Sequence, residues 1–154
     1  MTLKGEKAPE FDLPGNGDST VSFPSGKPSV LYFYPKDDTP GCTTQGKTFS
    51  ELKPQFDALG VDIVGVSPDT VAKHDKFVAK HDLTIALASD PDHIALTSYN
   101  VWVEKSMYGR KYMGVERSTF LVDADGTIVE EWRKVRVKGH VEAVLDAAKT
   151  HFGG

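Results

Sequence analysis

Cysteine is what this sequence has least of: Cys42 is the only one among 154 residues. A single thiol excludes an internal disulfide framework and any Cys-x-x-Cys pair, and it fits a reducing compartment. An excess of positive charge is missing as well. Lys and Arg number 18 against 22 Asp and Glu, a net charge of −4 with no basic cluster. Nucleic acid therefore finds no electrostatic footprint. No apolar stretch approaches the roughly 20 residues needed to span a bilayer. The opening stretch MTLKGEKAPEFDLPGNG has no apolar core of the kind a signal peptide carries. A cytoplasmic protein with no membrane partner is expected. Repeats, low-complexity tracts and linkers are absent too, so residues 1–154 are read as one domain. With 39% apolar and 26% charged residues, that domain can bury a full core.

What is present alternates between strand-like and helix-like patterns. SVLYFY (29–34) is a continuous apolar run ended by Pro35, the mark of a buried strand. After Cys42, Phe49, Leu52, Phe56 and Leu59 recur at steps of three and four, a helical face with Gly60 as its stop. Pro54 is expected to kink that helix. VDIVGVS (61–67) is a second buried strand. Ser67 and Pro68 look like the N-cap and first residue of a helix whose Val71, His74, Phe77, Val78 and His81 share a face. TIALAS (84–89) is a third strand, and DPDHIALTSYNV contains a short helix. RSTFLVD (117–123), the turn DADG and TIVEEWR (127–133) form a hairpin, and HVEAVLDAAKTHF is a closing amphipathic helix. This order predicts an α/β layered sheet, whose sites lie at the carboxyl ends of strands.

Cys42 falls just past the end of the first such strand, in YPKDDTPGCTTQ. A structural cysteine sits inside apolar sequence; this one is surrounded by hydroxyls and by residues that shape the backbone. Thiolate is the reactive form of the side chain, and a helix N-terminus with a nearby cation favours it. Thr39, three residues earlier, can reach the sulfur or a bound substrate with its hydroxyl. Pro35 and Pro40 restrict the loop, and Gly41 admits a ligand close to the backbone. The candidate cation is Arg117, at the head of a buried strand. It could equally be a strand-end arginine facing water or paired with Glu116, and Cys42 could be an incidental thiol.

PKDDTPGC matches the Pro-x-x-x-Thr-x-x-Cys motif of peroxiredoxins, and FYPKDDTPGCTTQ resembles their bacterioferritin comigratory protein, or PrxQ-type, subgroup. APEFDLP, VDIVGVSPD, SDPDH and YNVWVEKSMYGRKYMGVERSTFLVDADG extend the resemblance over nearly the whole chain. It implies a thioredoxin-like fold, a central mixed β-sheet flanked by helices, and a monomer that reduces hydrogen peroxide and alkyl hydroperoxides without a metal or cofactor. By position it implies that Cys42 is the peroxidatic cysteine. Thr39 would orient thiolate and peroxide, Pro35 would shield the pocket, and Arg117 with the N–H groups of Gly41 and Cys42 would stabilise developing charge. The resolving cysteine found in many such proteins has no counterpart, since the aligned positions hold Lys47, Val78 and Leu96. A one-cysteine cycle follows, with the sulfenic acid reduced by an external thiol such as thioredoxin, glutaredoxin or a small thiol.

Two rivals remain on the same fold. A disulfide oxidoreductase would need a second cysteine where Gln45 stands. A non-catalytic binding or chaperone-like module would not need Thr39, Cys42 and Arg117 together. His74 and His81 are about 10 Å apart on a helix, too far to share one ion, and are read as partly exposed. DADG is a turn and not a calcium loop. Trp102 and Tyr108 receive no role.

Overall fold

The computed structural model describes residues 2–153. Strands β1 (Phe11–Gly15) and β2 (Ser19–Phe23) precede β3 (Ser29–Phe33), helix α1 (Pro40–Ala58), β4 (Asp62–Ser67), α2 (Val71–His81), β5 (Ala86–Ser89) and α3 (Ile94–Ser98). There follow β6 (Trp102–Met107), β7 (Arg110–Val115), β8 (Ser118–Val122), β9 (Ile128–Trp132) and α4 (His140–Phe152). Seven strands form one sheet in the order β2-β1-β5-β4-β3-β8-β9, while β6 and β7 pair separately. β3, β4 and β5 are mutually parallel, and β8 runs antiparallel to β3. The expected mixed sheet flanked by helices is what forms.

β3 is central and fully buried, so its alternation divides the core between the two sheet faces. Val30 and Tyr32 point to the face covered by α1, α2 and α4, where Phe49, Phe56, Phe77, Val144 and Leu145 pack. Leu31 and Phe33 point to the other, where Ala95, Leu96, Tyr99 and Phe120 pack. Phe49 stacks on Tyr32 with ring centroids 4.6 Å apart, fixing α1 over the strand that ends at the Cys42 loop. At Gly46 that helix passes close to α2's exit, where a Cβ would make ordinary contact with Leu83 at 3.4 Å.

Several expectations are corrected. α2 begins at Val71, not Pro68, because Thr70 is the N-cap and its hydroxyl accepts from the Lys73 N–H. Ser67 is the buried last residue of β4 and donates to Asp69. The stop expected at Gly60 (φ +72) holds, with α1 running through Pro54 to Ala58. His74 is not partly exposed; it is completely buried. His81 is partly exposed, as expected, and binds Asp38.

Two hairpins escaped the sequence reading. β1 carries Pro14 and Gly15, which break a strand signal, yet Phe11 and Leu13 alternate into the core. β6 and β7 expose most of their side chains, so hydrophobic alternation is weak. Their turn, Tyr108–Gly109, has φ of +52 and +77, as a two-residue hairpin turn of the right twist requires. Tyr108 sits at that tip, 98% exposed, and does not line the site.

Candidate active site

β3 stops after Phe33, and residues 34–39 carry the chain across the carboxyl end of the sheet to α1. Thr39 is the N-cap in extended backbone (ψ 155), and Pro40 fits the first helical position, where no N–H is needed. The helical ladder begins with the Thr43 N–H donating to the Thr39 carbonyl at 2.8 Å. Cys42 thus lies in the first turn, where backbone N–H groups and the helix dipole favour negative charge.

Arg117, one residue before β8, comes to the same point because β8 lies beside β3. Its Nη2 donates to Cys42 Sγ at 3.2 Å and its Nη1 to Gln45 Oε1 at 2.6 Å. The planar fork therefore bridges two positions three apart on one face of α1. The alternative pairing with Glu116 does not occur: Glu116 lies 3.7 Å from Arg133. Gly41 leaves room for this approach: a Cβ there would stand 3.3 Å from Arg117 Nη2, close enough that the guanidinium would have to give by a few tenths of an ångström. Its open side thus serves the guanidinium directly.

Cys42 is only 2% exposed and packs in the same core as Tyr32, Tyr34 and Phe49. Burial pushes the Tyr32 phenol far up, and the neighbouring Cys42 and Asp37 push it further while Arg117 opposes them. Tyr32 stays neutral, so Arg117 is the charge that faces the sulfur. An open groove of about 460 Å³ is lined by Pro35, Val103, Lys105, Val115, Arg117 and Val135, among others. Pro35 is half-buried at its wall.

Thr39 differs from expectation. Its hydroxyl donates to the Lys36 carbonyl at 2.8 Å and makes no bond to the sulfur. Gln45 was missed as a site residue; its helical i+3 spacing from Cys42 was the available signal. It is fully buried, with Oε1 on Arg117 and Nε2 without a partner.

Behind Arg117, His140 begins α4, with Nε2 2.8 Å from Thr119 Oγ1 and its ring edge-on to Trp132. Burial, then the Arg117 charge, lowers its pKa from the ordinary 6.5 to about 4. The folded state therefore favours neutral His140, and that contribution to stability is complete above pH 6.5. It is lost as the pH falls from 6.5 through about 4. Thermal melts across this window are expected to show a falling midpoint, with a flatter profile in His140→Gln. An identical profile in the variant would assign the acid sensitivity to other groups.

The AhpC/TSA family matches residues 4–131. Peroxiredoxin Bcp of Xanthomonas campestris is 48% identical over 148 residues, covering 94% of this chain and 92% of that protein. Peroxiredoxin Bcp of Bacillus subtilis is 47% identical over 152 residues, 97% of each. A solved structure of the Xanthomonas campestris bacterioferritin comigratory protein, determined as a trapped intermediate/ligand complex bearing on alkyl peroxide reduction, superposes with a TM-score of 0.88. It is 45% identical and covers 92% of this chain and 91% of that one. The thioredoxin-like peroxiredoxin fold is thereby established. With Cys42 as its one cysteine, this chain belongs to the AhpC/TSA family, within its Bcp/PrxQ group of peroxiredoxins.

Proposed function

We propose that this protein reduces hydrogen peroxide and alkyl hydroperoxides with Cys42 as the reacting thiol and Arg117 as its electrostatic partner. The observation that carries the reading is the 3.2 Å contact between Arg117 Nη2 and Cys42 Sγ in the first turn of α1. A part-buried guanidinium donating to a buried sulfur is best accounted for by a sulfur that carries charge. The thiolate attacks the near peroxide oxygen. An S–O bond forms, the O–O bond breaks, and the electron pair leaves with the distal oxygen, which takes a proton to give water or an alcohol. Arg117, with the N–H groups of Gly41 and Cys42, stabilises the charge that builds on the departing oxygen. Thr39, whose hydroxyl donates to the Lys36 carbonyl, is assigned to orient the peroxide, and Pro35 to shield the sulfur from bulk water.

The oxidised product is a cysteine sulfenic acid, the first rung of thiol oxidation. Lys47, Val78 and Leu96 offer no second sulfur, so an external thiol completes the cycle through a mixed disulfide. With Cys42 2% exposed, a protein thiol cannot reach its sulfur in this conformation. The first turn of α1 must therefore open for reduction. Thioredoxin or glutaredoxin is the proposed reductant. The chain works as one domain and as a monomer, since the Cys42–Arg117–Gln45 constellation is complete within one chain. A cytoplasmic setting agrees with the lone thiol. Among the described residues, no helix is long and apolar enough to cross a membrane.

NADPH-coupled turnover with hydrogen peroxide and cumene hydroperoxide, run against thioredoxin and glutaredoxin systems, tests this reading. Peroxide-dependent NADPH oxidation with at least one system is expected, with a 16 Da gain on Cys42 when reductant is withheld. No turnover with either, and no modification of Cys42, would leave the binding-module alternative in its place.

A further inference from the structure

The loop between Pro35 and Thr39 is held by a buried polar cluster that the peroxide chemistry does not touch. Asp37 is 8% exposed, Asp69 is 7% exposed and His74 is fully buried. The Tyr34 hydroxyl donates to Asp37 Oδ1 at 2.6 Å, and His74 Nδ1 lies 2.6 Å from Asp37 Oδ2. The Asp37 N–H donates to Asp69 Oδ2 at 2.8 Å, which also accepts from Ser67 Oγ at 2.7 Å. On the other side of the ring, His74 Nε2 lies 3.0 Å from the Ala88 carbonyl of β5.

These atoms resemble a metal-ligand set, since one ligand atom each from Asp37, Asp69 and His74 lie within 4.8 Å of one another. Hydrogen bonds already occupy them, however, and they assign a proton count instead. A carbonyl oxygen only accepts, so Nε2 must carry hydrogen. Nδ1 faces a carboxylate whose other oxygen already receives the Tyr34 hydroxyl, with the Asp69 carboxylate adjacent. Two buried carboxylates beside one imidazole are best satisfied when the ring is a cation.

We infer that a buried His74 imidazolium–Asp37 carboxylate pair pins the 35–39 loop to α2 and β5 and so positions Thr39 and the first turn of α1 for attack on peroxide. His74 is on this account a positioning residue, remote from substrate. The same loop is tied on its outer side by Asp38, whose carboxylate meets Lys80 Nζ at 2.7 Å and His81 Nε2 at 2.8 Å, with Asp38 at φ +61. Those contacts are exposed and screened, so the buried pair carries the register. The inference rests on Cys42 being the reacting thiol.

The test combines nitrogen NMR of the His74 ring with rapid-mixing rates for the reduced, full-length protein and hydrogen peroxide. In the parent protein both ring nitrogens of His74 are expected to be protonated, Nδ1 facing Asp37 and Nε2 the Ala88 carbonyl. Asp37→Asn can rebuild the pair in neutral form, with the amide donating to Nδ1, so it is expected to leave hydrogen on Nε2 alone. Its rate with peroxide is expected to stay within about threefold of the parent. His74→Phe and Asp37→Ala remove the pin, and the rate is expected to fall by about 10-fold or more, the scale of lost orientation. Should His74→Phe not fold, Asp37→Ala and the ring signals decide. A singly protonated ring in the parent protein, or an unchanged rate in a folded variant lacking the pin, overturns the inference. The ring signals are read without peroxide, so they stand even if another group proves to be the nucleophile.

Discussion

Cys42→Ser is expected to abolish peroxide reduction and leave the fold intact. The substitution exchanges a polarisable sulfur for an oxygen that is essentially un-ionised at neutral pH, so the nucleophile disappears while the side chain stays nearly the same size. The new hydroxyl does not become a buried orphan, because Arg117 Nη2 stands where Sγ had its partner and can donate to oxygen equally well. Turnover should fall to the uncatalysed background, with near-native circular dichroism and a melting midpoint within a few degrees. Peroxide consumption measured beside thermal melts checks both halves. Wild-type turnover in the serine variant would mean that the sulfur is not where the chemistry occurs.

Arg117→Ala is expected to slow sulfenic acid formation by at least ~10-fold, and the loss of one donor to a developing oxyanion elsewhere costs about 10²–10³. Three effects act together. The thiolate loses the charge 3.2 Å away, the departing oxygen loses a donor, and Gln45 Oε1 loses its partner beside an Nε2 that already has none. Iodoacetamide alkylation of Cys42 at neutral pH should slow in parallel, since it too requires thiolate. Arg117→Lys restores the charge but not the fork, and one ammonium cannot hold Sγ and Gln45 at these two positions together. Its rate should fall between those of the parent and the alanine variant. If alkylation and peroxide rates both survive in Arg117→Ala, the guanidinium contact is structural only.

Much of the site was legible before any coordinates because local chemistry announces itself locally. The cluster of Thr39, Pro40, Gly41 and Cys42 at a strand end reads as a helix start carrying a thiol, and the structure places that helix from Pro40. β3, β4 and α4 were recognisable because a buried strand and an amphipathic helix leave strong periodic signals. The β6–β7 hairpin was not, because most of its side chains are exposed and only Val115 is fully buried, so little apolar alternation is left to read. His74 was misjudged for a related reason. Helical periodicity placed it on the face that Phe77 buries, but a histidine on such a face reads as exposed until a carboxylate from a loop 37 positions away is seen to meet it.

The amino-acid order by itself determined the thiol's identity, its place at a helix N-terminus and the absence of a second thiol. These are properties of neighbouring residues and of what the chain does not contain. Only the tertiary structure decided which cation faces the sulfur, that Gln45 shares it, and that a buried histidine anchors the loop. Those pairings join residues 37 to 75 positions apart. They exist because β8 lies beside β3 and because α2 packs under the loop leaving β3, arrangements set by core burial and not by any short-range signal.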